Sequence, residues 1–109
     1  MSTEPQKKTR RQMLEEFLTA NQADAFSRYG LALEYMNAGD TAAAETHFRK
    51  LLEFNPGYVP AYLIFGQMLA RNSRPAEARQ ILQSGISAAA ARGDSHARSE
   101  MEALLAELS

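Results

Sequence analysis

Apolar residues in this chain recur three and four positions apart, and no stretch alternates apolar with polar long enough to make a strand. Met13, Leu14, Phe17 and Leu18 form the first such stripe, and Ala97, Met101, Leu104, Leu105 and Leu108 form the last. That period belongs to the α-helix. Turn formers and helix caps interrupt it at "NQAD", "NAGD", "NPGYVP", "RNSRP" and "RGD", which divides the chain into about six helical segments.

The first should begin at Thr9, where Gln12 completes a capping box. The second runs from about Asp24 to Asn37 and closes at Gly39. The third starts near Asp40 or Thr41 and stops before Asn55-Pro56, and the fourth runs from close to Pro60 to near Asn72. Pro75 opens a fifth helix that reaches Gly93, and Asp94 caps a sixth. The fold class expected is all-α, with short helices in antiparallel helix-turn-helix pairs.

The two central pairs repeat each other. Leu31, Ala32, Tyr35, Ala44 and Phe48 fall on Phe65, Gly66, Leu69, Ala78 and Leu82 at a constant offset of 34 residues. With "RYGLALEY" and "YLIFGQML" in the first helices, "AETHF" and "ARQIL" in the second, and Pro56 closing the first unit, the chain resembles the tetratricopeptide repeat family. The resemblance implies a right-handed superhelical α-solenoid. It accounts for Gly66 inside the apolar "AYLIFGQMLA": Gly66 should oppose Ala78, as Ala32 opposes Ala44, with Leu82 and Phe48 in the adjacent holes. Glycine in a helix interior costs about 1 kcal/mol against alanine, and closer helix packing offsets it.

Three positions depart from the family pattern. Arg28 stands where a bulky aromatic is usual, whereas Tyr62 fits that place. Gly85 replaces a larger residue and should loosen the end of the fifth helix. Ala90 stands where a proline would close the second unit, so that helix should run on by a turn or more. The organisation expected is a basic disordered lead-in over 1–8 and one domain over 9–108. Within it lie a packing helix (9–20), repeats at 25–58 and 59–92, and a capping helix (94–108) with Ser99, Glu100, Glu102 and Glu107 outward.

The resemblance also implies that the first helix of each pair lines a concave surface that binds a peptide or a partner helix. The residues pointing there should be Phe26, Tyr29, Leu33 and Met36, joined by Leu63, Gln67 and Arg71. The second helix is thereby apolar on two faces, and the outer one needs a cover. A partner segment, a second copy of the chain, or the chain's own first helix could supply it; in the last case Phe26, Tyr29 and Leu33 are simply core. Tyr29 and Leu33 stand where a carboxylate-gripping groove would carry lysine and asparagine, so apolar anchors should dominate any bound peptide.

Composition narrows the classes. A formal net charge of −1 argues against a strongly basic nucleic-acid binder, and the absence of cysteine removes disulfides and thiolate chemistry. No apolar run approaches the roughly 20 residues that span a bilayer, which leads to the expectation of a soluble cytoplasmic protein. His47 and His96 lack metal-ligand spacing and read as solvated helix residues. Glu15-Glu16 and Glu100-Glu102 read as charged helix faces, and "KKTRR" as a solvated lead-in. The function expected is a non-catalytic protein-interaction module without cofactors or metals, binding a protein or peptide with apolar anchors. The alternative is a self-associating subunit whose groove is buried in a homodimer, with an enzyme or nucleic-acid binder the least supported.

Overall fold

The structure, a computed structural model, describes residues 7–108. Six helices follow one another: α1 (Arg10–Ala20), α2 (Ala25–Asn37), α3 (Thr41–Phe54), α4 (Val59–Arg71), α5 (Pro75–Arg92) and α6 (Ser95–Glu107). Among the described residues there is no strand. The expected disordered lead-in falls, for residues 1–6, outside the described residues. Lys8 pairs with Glu16 at 2.7 Å, Arg10 with Glu34 at 3.1 Å, and Arg11 lies 5.2 Å from the Tyr35 ring centroid.

Capping chemistry sets the starts. Thr9 and Gln12 make the reciprocal capping box, and Asp24, Asp40 and Asp94 each accept a backbone N–H from the first turn they precede. Pro60 and Pro75 sit in first turns, where a missing N–H costs no helical bond. Three helix ends close identically. Gly39 N–H donates to Met36 O and Asp40 N–H to Tyr35 O; the same two bonds recur at Ser73 and Arg74, and at Gly93 and Asp94. This closure needs a left-handed residue, with φ of 81° at Gly39, 60° at Ser73 and 70° at Gly93.

Helices α2 with α3 and α4 with α5 form antiparallel hairpins, stacked through Phe48 and Phe65, whose rings lie 5.2 Å apart and nearly parallel. Ala32, Ala44, Leu51, Ala61, Met68, Leu69 and Ala78 complete that buried cluster, and Val59, Tyr62, Leu82, Ala89 and Met101 form the next one along. Outside the core, Arg74 joins the hairpins by bonds to Glu45 at 2.7 Å and Glu77 at 2.5 Å, with Arg49 bridging the same two carboxylates. Helix α6 buries Met101 and turns Glu100, Glu102 and Glu107 to solvent.

One glycine expectation is sharpened and another changes. Leu82 is the side chain nearest to Gly66: a Cβ there would lie 2.7 Å from Leu82 Cδ2 and 2.8 Å from its Cγ. The small residue makes room for a leucine knob from the facing helix, which buries more apolar surface than two small residues in contact. Gly85 does not loosen its helix. A Cβ on it would lie 2.5 Å from both Tyr62 Cβ and Met101 Sδ, so it is the point where α4, α5 and α6 meet most tightly. With no proline at position 90, α5 extends to 18 residues against 14 for α3.

Candidate functional site

The expected groove stripe lies along one side of α2 and continues onto α4. Tyr29, Leu33 and Met36 are half-buried against the first core cluster, and Leu63 against the second. Tyr29 is fixed by two rings, with centroids 5.4 Å from Tyr58 and 6.4 Å from Phe48. Burial, then the nearby Tyr58, raises its phenol pKa, so the hydroxyl stays protonated at neutral pH. Phe26, one turn earlier, is 73% exposed. Gln67 is half-buried and Arg71, in the last turn of α4, is exposed.

Helix α1 does not cover this stripe. Leu14 and Arg10 lie against Gly30, Arg10 pairs with Glu34, and Glu15 accepts a 2.5 Å bond from the Tyr35 hydroxyl. Those residues occupy a different face of α2, so Tyr29 and Leu33 pack toward α3 and α4 instead of α1. Within α1 itself only half the apolar stripe is used: Leu18 is buried and Leu14 half-buried, while Met13 and Phe17 are 53% and 47% exposed.

The face between α1 and α3 holds what sequence reasoning missed. His47 is not a solvated residue. It is half-buried, stacked on Tyr35 with centroids 5.5 Å apart, and its Nδ1 accepts from Arg28 Nη1 at 3.1 Å. Arg28, 5% exposed, also donates through Nη2 to the Gln22 carbonyl at 2.9 Å. The departure from an aromatic at position 28 was the available signal: a charged side chain at an inward position must find acceptors. His96, by contrast, is exposed beside Glu100. Among the described residues, no group of three or more His, Cys, Asp or Glu could hold a metal ion, and no helix is long and apolar enough to cross a membrane.

Stacked antiparallel hairpins of this build define a helical-repeat protein. The family model described as tetratricopeptide repeat matches residues 35–108, and the chain belongs to that family. A TPR repeat-containing protein of Pseudomonas aeruginosa is 33% identical over 95 residues, spanning 87% of this chain and 90% of that protein. The solution structure of a Bordetella parapertussis protein superposes with a TM-score of 0.78 at 30% identity, covering 94% of this chain and 89% of that one. A tetratricopeptide repeat domain protein from Salinibacter ruber, solved in solution, gives a TM-score of 0.75 at 29% identity, over 78% of this chain and 86% of its own. Family membership puts the chain among protein–protein interaction modules, which are in general non-catalytic.

Proposed function

We propose that the chain binds an extended segment or helix of a partner protein along the stripe of Phe26, Tyr29, Leu33 and Met36, with Leu63, Gln67 and Arg71 continuing it. The observation that carries this reading is Phe26. It is a large apolar side chain left 73% exposed at the end of a row whose other members are already held rigid by the core. A preformed row with one open aromatic offers an anchor at low ordering cost. Tyrosine and methionine beside it suit an adaptable apolar contact. Within this proposal the repeat units are 25–58 and 59–92, and bound segments carry apolar anchors, with Arg71 able to meet an acidic flank.

A displayed random-peptide library selected against the wild type should enrich sequences with spaced apolar anchors. The selected peptide should shift the amide resonances of Phe26, Tyr29, Leu33 and Leu63, and Phe26→Ser should abolish capture without changing the melting temperature. Peptides that map to another face would end the groove reading. The alternative occupant is a second copy of the chain. A doubled mass in sedimentation that reverts to monomer in Phe26→Ser would assign the surface to self-association.

A further inference from the structure

Beside the stripe, on the part of α2 between α1 and α3, Arg28 carries a positive charge into the interior without a counter-charge. Its two terminal nitrogens bond to the neutral His47 ring and to a backbone carbonyl, and its buried Nε–H has no acceptor. Arg74, far less buried, has two carboxylates; Arg28 makes no ion pair among the described residues. Buried charges are ordinarily paired, because desolvation is otherwise uncompensated.

The guanidinium forms part of the wall of an open cleft of about 220 Å³ between α1, α2 and α3, lined by the apolar Leu18 and Leu31 and by Glu15, Thr19, Gln22, His47 and Lys50. Arginine can only donate, so His47 Nδ1 is the acceptor and the ring proton sits on Nε2, a donor on a ring that lines the same cleft as Lys50. One carboxylate faces these groups. Glu15 is already engaged by the Tyr35 hydroxyl at 2.5 Å and lies 4.0 Å from Arg11. Arg28 and Lys50 against Glu15 leave the cavity with an excess of positive charge. Its volume is below the roughly 300–1,000 Å³ of sites for drug-sized ligands, which fits a small ion or a single terminal group.

We propose that this cavity binds a small oxyanion, a phosphate or carboxylate group, held by Lys50 and the His47 Nε2–H in the field of the buried Arg28. The site is independent of the groove: it uses the α1 and α3 faces of α2, and an occupant would tie those three helices together. The anion supplies the counter-charge that the fold itself does not provide.

The test is an NMR titration of the isotopically labelled full chain with inorganic phosphate and, separately, with acetate at constant ionic strength. Saturable shifts confined to Gln22, Arg28, His47 and Lys50 are expected. A response to phosphate alone identifies a phosphate group as the ligand, a response to acetate alone a carboxylate, and either supports the site. Lys50→Gln, at an exposed position, should weaken binding about tenfold, in keeping with the loss of one charge-assisted bond. Glu15→Gln should strengthen it by removing a like charge. No saturable shift with either anion overturns the proposal. So does an affinity that is the same in the wild type, Lys50→Gln and Glu15→Gln.

Discussion

Arg28 Nη1 donates to His47 Nδ1 at 3.1 Å, which holds the imidazole in its neutral, accepting form. Burial foremost, then the Arg28 charge, lowers the His47 pKa below its ordinary 6.5, with Glu15 opposing and Lys50 reinforcing. The unfolded chain therefore binds the proton more readily than the folded one. Stability is complete above pH 6.5 and falls as the pH drops through that value toward the folded pKa. Thermal melts at neutral pH and near pH 5.5 should show this loss in the wild type and a smaller one in His47→Gln. Equal losses in the two proteins would remove His47 as the cause.

Two helical glycines should respond differently to alanine. At Gly85 the added Cβ meets Tyr62 Cβ, which is fixed to the α4 backbone, so the helices must separate. Overpacking of this kind costs typically about 1–3 kcal/mol, more than the ~1 kcal/mol gained in helix propensity. At Gly66 the obstacle is the Leu82 side chain, which can rotate within the core at a smaller cost. Denaturant titration should rank Gly85→Ala as the more destabilising, and the reverse order would show that the α4–α5–α6 junction yields more easily than its geometry indicates.

Ser73 closes α4 with φ of 60°, in the place that glycine occupies after α2 and α5. A left-handed conformation costs a residue with a Cβ about 1–2 kcal/mol, while glycine's greater freedom in the unfolded chain takes back about 0.4–1 kcal/mol. Ser73→Gly should therefore raise stability by roughly 0.5–1 kcal/mol, a melting-temperature increase of a few degrees for a domain of this size. No increase would mean that the serine makes a compensating contact.

Hydrogen bonds from Arg74, then from Arg49, hold the Glu45 carboxyl down to about 2 from its ordinary 4.5, against the effect of its own partial burial. The stabilisation is present above pH 4.5 and is lost as the pH falls toward 2. Acid unfolding of Glu45→Gln should be flatter over that window than in the wild type. High salt should narrow the gap between the two curves, because Arg49 and Glu77 stand half in solvent. Curves that stay parallel would show the cluster to be energetically neutral.

The helices and their order were legible in the sequence because caps and turn residues act locally. Thr9, Asp24, Asp40 and Asp94 satisfy first-turn N–H groups wherever the chain goes afterwards. The repeat was legible because the offset of 34 residues recurs at small and aromatic positions in both hairpins. The residues expected to line the groove lie on α2 and α4, but how each would be buried was not visible. Periodicity assigns Phe26 and Tyr29 to one stripe, yet Tyr29 is clasped by Phe48 of α3 and by Tyr58 just before α4 while Phe26 meets solvent.

By itself, then, the sequence determined six helices, their hairpin pairing and a family, since each follows from short-range chemistry repeated at a fixed interval. Tertiary structure alone decided how closely Leu82 rests on Gly66, that Gly85 tightens a three-helix junction, and that His47 leaves solvent to receive Arg28. Those outcomes depend on how far one helix slides and turns against another. A shift of a fraction of a turn exchanges one neighbour for the next, and linear spacing does not encode it.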